Sequence, residues 1–290
     1  MSRAPNFLYI GTSKAGSTWI FKILSWHPEI YMYAGKNLGF FSNMFDNGWN
    51  WYISNFHPEP QHKVIGEVSH SYLVSEHAAA RIHQHLQNVK IMVCLREPVQ
   101  RSFSDYLDGV KNGKLEGSYE EEIERTPALL TRSLYATHLS SYLERFNRDQ
   151  IYIANFDQLV SDPASFTAGL FEFLEVEPLV LPANLLKKVL PAGTPRSRAL
   201  AMGAKKLSRL AARMGLKGLR GRAKTSRAVR DVLYRPYSNE TRPTILPTTE
   251  GRLRELMAGE VRRLDEIAGT DFCRLWNYSP IADEHVLNGD

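Results

Sequence analysis

Phe7-Leu-Tyr-Ile-Gly-Thr-Ser-Lys-Ala-Gly-Ser-Thr-Trp19 is the stretch on which the reading of this chain turns. Its first four residues are aromatic or aliphatic with high strand propensity, and Gly11 ends the run. From Ser17 to His27, apolar residues fall at 19, 20, 23, 24 and 26, the spacing of one helical face, and Pro28 stops it. A strand that passes through a glycine-bearing turn into a helix offers successive backbone N–H groups, and the positive end of the helix, to an anion. The glycines keep side chains out of the way of that approach. Gly11 and Gly16 are separated by four residues, as in a nucleoside-triphosphate loop, but Ser17 stands where such a loop carries its lysine. The lysine lies inside the loop as Lys14 and is therefore aimed at a different oxygen.

The same alternation continues outward. Lys63–Ser69, Lys90–Leu95 and Gln150–Phe156 read as strands, the second a continuous apolar run of the kind found in buried parallel sheets. Between and after them, Ser75–Gln87, Pro98 to about Lys111, Arg132–Arg148 and Pro163–Leu174 read as helices, with Pro98 at a first helical position. Strands alternating with helices predict a three-layer α/β/α fold around a central, mostly parallel sheet. Ligands of such sheets bind at the carboxyl ends of the strands, where the loop of Lys14 falls.

The composition, 43% hydrophobic and 23% charged over 290 residues, predicts one globular domain spanning 1–290. Cys94, within an apolar strand, and the distant Cys273 predict free thiols and a reducing compartment. No signal peptide and no apolar run near the ~20 residues of a bilayer span are read from the sequence, so a cytoplasmic location is expected. Charge is unevenly spread. Pro178–Arg230 carries fourteen Lys or Arg and no Asp or Glu, so a whole-chain charge of +5 leaves −9 for the rest. Within this basic segment, at about 187–230, Leu200, Ala204, Leu207, Ala211 and Met214 share one helical face, while Lys206, Arg209 and Arg213 share the other. A last helix is expected at about 249–268.

Lys14-x-Gly16-Ser17-Thr18-Trp19 resembles the 5′-phosphosulfate loop of sulfotransferases that use 3′-phosphoadenosine 5′-phosphosulfate (PAPS), a P-loop-like element. About 80 residues later, Cys94-Leu-Arg-Glu-Pro-Val-Gln-Arg-Ser-Phe-Ser-Asp-Tyr106 resembles the strand–loop–helix that holds the cofactor's 3′-phosphate in that family. The resemblance implies that Lys14, Ala15, Gly16, Ser17, Thr18 and Trp19 line the phosphosulfate, and that Arg96 and Ser104 hold the 3′-phosphate. A strand-end guanidinium and a hydroxyl near a helix N-terminus suit that role on chemical grounds alone. Arg101 reads as a helix-face residue that could also reach an anion. Lys36-Asn-Leu-Gly-Phe-Phe41 is similar to the Lys-Glu-x-x-Phe-Phe segment of the heparan-type, carbohydrate-modifying branch. Phe156-Asp-Gln-Leu-Val-Ser-Asp-Pro163 and Gly269-x-Asp-Phe-x-x-x-Trp276 match further family segments, and Arg196 lies where relatives close a loop over the cofactor. Trp19 and Phe156 are candidates for packing on the adenine; both fit a core role equally well.

The resemblance also implies the chemistry: in-line sulfo transfer to an acceptor, leaving 3′-phosphoadenosine 5′-phosphate (PAP), with Lys14 on the bridging oxygen where charge develops. No metal is expected, because a lysine can neutralise this leaving group; His83 and His85, two apart on a helix, do not face one site. The acceptor needs a base. Heparan-type relatives place a glutamate where this chain has Asn37, and an amide cannot accept the proton. Glu67-Val-Ser-His70 ends a predicted strand at which the small-molecule branch carries a basic histidine. His70 is therefore the expected base and Glu67 the second candidate. A kinase-like nucleotide enzyme is the rival reading, disfavoured by Ser17. Nucleic acid is not an expected partner, since the basic segment lacks interleaved aromatics. A carbohydrate or lipid-linked hydroxyl is the expected acceptor, with a small phenol or alcohol as the alternative. The basic segment could make peripheral contact with an acidic membrane at its inner surface, or pack on its own domain; both readings stand.

Overall fold

A computed structural model describes residues 3–186, 193–195, 234–236 and 243–278. Five strands, β1 (Phe7–Gly11), β2 (Ile30–Met32), β3 (Val64–Val68), β4 (Lys90–Leu95) and β5 (Ile151–Asn155), form one sheet in the order β2-β3-β1-β4-β5. Every pairing within it is parallel. A separate antiparallel pair joins β6 (Gly193–Pro195) to β7 (Tyr234–Pro236). The chain leaves β1 toward β2 and β3 on one side, then crosses to β4 and β5 on the other. The switch point of the sheet thus lies between β1 and β4, where parallel α/β proteins open a ligand crevice.

Among the described residues the α-helices are α1 (Ser17–Trp26), α2 (Phe40–Asn43), α3 (Trp49–Ile53), α4 (Ala78–His85), α5 (Pro98–Lys111), α6 (Tyr119–Arg125), α7 (Ala128–Thr131), α8 (Tyr135–Leu143), α9 (Phe156–Ser161), α10 (Pro163–Leu174), α11 (Pro247–Ala268) and α12 (Phe272–Leu275). Successive strand residues point to opposite faces, so each strand feeds two cores. Leu8, Ile10, Ile91, Val93 and Leu95 pack with Ile82, Leu139, Tyr142 and Leu264 on one face. Phe7, Tyr9, Met92 and Cys94 pack with Trp19, Ile23, Phe166 and Leu170 on the other. Burial on both faces is why β4 reads as an unbroken apolar run. The expected three-layer α/β fold is the observed one.

Several boundaries differ from expectation for local reasons. The helix expected over 132–148 forms only from Tyr135 to Leu143. Its start is delayed because Ser133 is fully buried and tied to Arg101 Nε (2.6 Å) and the Pro98 carbonyl (3.1 Å). The strand expected to reach Phe156 stops at Asn155, whose side chain accepts from the Asp157 N–H and opens α9. The last helix spans Pro247–Ala268, close to expectation. Most of the basic segment at 187–230, Arg196 included, lies outside the described residues. Among the described residues no helix is long and apolar enough to cross a membrane.

Candidate active site

The loop between β1 and α1 is built on two left-handed residues, Lys14 at φ 71° and Gly16 at φ 77°. Left-handed geometry at a lysine carries a steric cost that ordinary loops avoid. At Gly16 no side chain would fit: a Cβ there would stand 2.6 Å from Leu159 Cδ2 and 3.2 Å from the Phe156 ring. The register of β1 on β4 also slips between Tyr9 and Gly11, so the strand bends as it enters the loop. Helix α1 begins with no side-chain cap and no acidic residue in its first turn, which leaves its positive end open to an anion. This cradle fits a phosphate or sulfate group.

Cations surround it. Lys14 Nζ lies 3.4 Å from Asp108 Oδ1 on α5. Arg96, at the end of β4, donates from Nη1 to the Lys14 carbonyl at 3.4 Å, and its guanidinium sits 5.1 Å from the Phe156 ring centroid. Tyr135 holds the Arg96 carbonyl at 2.7 Å. The two motifs that the sequence singled out therefore meet across adjacent strands, Arg96 on Lys14 at 82 positions' separation. Ser104, on α5, is partly exposed. Ala15 is fully buried, Ser17 nearly so, and Thr18 partly exposed.

Other expected residues take more specific places. Trp19 is buried in the core, and its indole N–H donates to the Leu185 carbonyl. Phe156 packs between Gly16 and Arg96, so it braces the loop and the guanidinium together. Arg101 lies on a helix face that is buried, and it is one of the largest fully buried side chains among the described residues. It donates to Ser133 Oγ, the Leu129 carbonyl, Ser13 Oγ (3.4 Å) and Asp105 Oδ2 (3.3 Å), and so joins the β1–α1 loop to α5 and α7. His83 and His85 part company, one against Phe146 and the other against Trp49.

His70 follows β3 and is largely sheltered. Burial, then the nearby Lys36, lower its pKa to about 4; Asp105 pulls upward and Arg132 downward. The imidazole is thus neutral near pH 7, with its lone pair available, but is a weaker base than a free histidine. Glu67 has no exposed surface. Tyr52 (2.7 Å), Tyr72 (2.6 Å) and Ser69 (2.7 Å) all donate to its carboxylate. Burial raises its pKa, and those three hydroxyls oppose the rise. The same Ser69 hydroxyl accepts from the Gly39 N–H at 3.0 Å, and the Asn37 N–H donates to the Val68 carbonyl at 2.7 Å. The segment carrying Lys36 and Asn37 is thereby fastened to the end of β3. Sequence reasoning did not assign Lys36 to the site, although the Lys-x-x-x-Phe-Phe similarity marked it. Its ammonium donates to Ser17 Oγ (2.9 Å) and Thr18 Oγ1 (2.8 Å).

The sulfotransferase domain model matches residues 4–188, more than half of the chain. The chain belongs to the sulfotransferase domain family. It is 35% identical to the membrane-associated sulfotransferase kil1 of Dictyostelium discoideum over 128 residues, 41% of this chain and 27% of that protein. It is 26% identical to heparan sulfate glucosamine 3-O-sulfotransferase 6 of Mus musculus over 212 residues, 67% of this chain and 62% of that one. The chain therefore spans less than two thirds of the length of either relative. A sulfotransferase from Alicyclobacillus acidocaldarius has the same fold, with a TM-score of 0.69 at 21% identity, covering 95% of this chain and 99% of its own. A mouse sulfotransferase, SULT7A1, solved in complex with PAP, aligns at a TM-score of 0.55 and 12% identity, over 96% of this chain and 90% of its own.

Proposed function

We propose that this sulfotransferase uses PAPS and moves its sulfo group to an acceptor hydroxyl, with His70 as the base. The observation that carries the reading is the junction of Lys14 and Arg96 at the sheet's switch point, beside a helix N-terminus with no side-chain cap. Lys14, Ala15, Gly16, Ser17 and Thr18 would hold the phosphosulfate, while Arg96 and Ser104 would hold the 3′-phosphate. Bound PAPS supplies the sulfo group and leaves as PAP: the bond from sulfur to the bridging oxygen breaks, and its electron pair stays on the phosphate. Lys14 neutralises the charge that grows there. His70 takes the acceptor's proton as its oxygen bonds to sulfur. The support for that role is its place at the end of β3; its imidazole is neutral near pH 7, and its lowered pKa makes it a weaker base than a free histidine. Glu67 is assigned to positioning, because all its surface is spent on three hydroxyl donors. A lysine meets the charge of this leaving group, so the reaction as proposed needs no metal.

A carbohydrate or lipid-linked hydroxyl is the proposed acceptor, supported by relatives that act on heparan sulfate glucosamine. We further infer peripheral contact of the basic segment with acidic lipid, in line with its fourteen cationic residues and one relative named as membrane-associated. Sedimentation with phosphatidylserine vesicles, lost when those residues are neutralised, tests it. The cofactor assignment is tested by thermal shift in EDTA. PAP at a hundredfold excess over its dissociation constant should stabilise the chain by about 2.7 kcal/mol, and ATP with Mg²⁺ should not. No shift at millimolar PAP, from folded protein, removes the proposal.

A further inference from the structure

Lys36 stands in an electrostatically costly place. Its ammonium donates to the hydroxyls of Ser17 and Thr18, the first two residues of α1, at 2.9 and 2.8 Å. A cation at the positive end of a helix is opposed by the helix dipole, which favours anions there. The chain nonetheless holds it in place. Tyr33 N–H donates to the Gly66 carbonyl (2.8 Å), Asn37 N–H to the Val68 carbonyl (2.7 Å) and Gly39 N–H to Ser69 Oγ (3.0 Å), so the whole connection from β2 is stitched along β3. An anion entering the cradle would come within reach of an ammonium already held on the Ser17 and Thr18 hydroxyls. Its charge also acts on His70, in company with those of Asp105 and Arg132. Lys36 therefore adjoins the loop that would carry the donor, and its charge acts on the residue that would take the acceptor's proton. The group that passes between those two is the sulfo group itself.

We propose that Lys36 is a catalytic residue whose ammonium binds a non-bridging oxygen of the sulfo group, leaving the nucleotide to Lys14 and Arg96. The proposal rests on the PAPS reading above. Each cation then has its own target. Arg96 recognises what PAPS and PAP share, Lys14 meets the oxygen that becomes the leaving group, and Lys36 recognises what PAPS alone carries. A hydrogen bond to a charged group is worth about 1.5–3 kcal/mol, so its loss should cost roughly tenfold or more in affinity.

The test needs no known acceptor. Dissociation constants for PAP and PAPS are measured by calorimetry on the full chain, for wild type, Lys36→Met and Lys36→Arg. In parallel, the His70 imidazole is titrated by NMR, with Asp105 and Arg132 left intact. Lys36→Met should weaken PAPS by about tenfold while PAP affinity stays within twofold, and Lys36→Arg should restore much of the preference. Loss of the Lys36 charge should also let the His70 pKa rise, a change that a merely structural lysine far from the imidazole would not produce. Equal weakening of PAP and PAPS, or no weakening of either, overturns the assignment of Lys36 while PAP binding by wild type upholds the cofactor reading. Failure of wild type to bind PAP at all sinks both.

Discussion

Lys14 Nζ lies 3.4 Å from Asp108 Oδ1, so the loop lysine is paired to a carboxylate on the neighbouring helix α5. Asp108 is half-exposed, and a pair of that kind is worth about 0–1 kcal/mol. Binding an anion in the loop exchanges one partner of Lys14 for another. Asp108→Asn should remove the competitor and tighten PAP binding by up to about fivefold, most visibly at low salt. Calorimetry at two ionic strengths measures this; weaker binding would mean that Asp108 orients Lys14 toward the ligand.

The assignments to Lys14 and Arg96 predict different kinetic losses. Arg96 would contact a phosphate that is unchanged by the reaction, so Arg96→Ala should chiefly raise KM for PAPS. Lys14 would meet charge that grows during the step, so Lys14→Ala should depress kcat more. Initial rates with ³⁵S-PAPS, against whichever acceptor an extract screen labels, separate the two. If both variants showed only a raised KM, the leaving-group role of Lys14 would have to be dropped.

Gly16→Ala should be damaging in a way that Gly113→Ala is not. Both glycines have positive φ, 77° and 62°, but a Cβ at Gly113 meets nothing within 4 Å. At Gly16 it meets Leu159 at 2.6 Å and the Phe156 ring that braces Arg96. The backbone cost, about 1–2 kcal/mol, is common to both; overpacking adds about 1–3 kcal/mol at Gly16 alone. Thermal melts should rank the two variants accordingly, and only Gly16→Ala should lose PAP binding.

What was readable in advance follows the range of the interactions. The loops of Lys14 and Arg96 are contiguous strand–turn–helix units, so glycine spacing and apolar runs reveal them. The parallel sheet follows from unbroken apolar strands separated by amphipathic helices. Lys36 was visible only as part of a similar segment, because its place depends on a side chain crossing to Ser17 and Thr18 from a connection fastened to β3. Arg101 has ordinary helix-face spacing, yet Ser13, Leu129 and Ser133 converge on it from other elements and bury it. The Glu67 cage likewise draws Tyr52 from α3, and no local pattern announces a hydroxyl arriving from there.

His70 and Glu67 give the sharpest test of mechanism. His70→Ala should lower kcat by about 10²- to 10⁴-fold, the span for losing a general base, with PAP binding near wild type. Burial and Lys36 hold the His70 pKa at about 4, below its usual 6.5. The acidic limb of kcat/KM should accordingly lie well under the value of a free histidine. The same shift has a stability consequence. A group whose folded pKa is depressed contributes stability above its unfolded pKa and loses it as pH falls through the folded one. The His70 contribution should therefore be full above about 6.5 and fade toward about 4, and His70→Ala should flatten the melting curve's pH dependence across that window. Glu67→Gln is the companion variant. It puts an amide among three hydroxyl donors, so it should lower the melting temperature while leaving the His70 limb in the pH profile. Near-full turnover by His70→Ala together with a folded but inactive Glu67→Gln would transfer the proton to Glu67. The carboxylate would then have to leave its cage of Tyr52, Ser69 and Tyr72 to reach the acceptor.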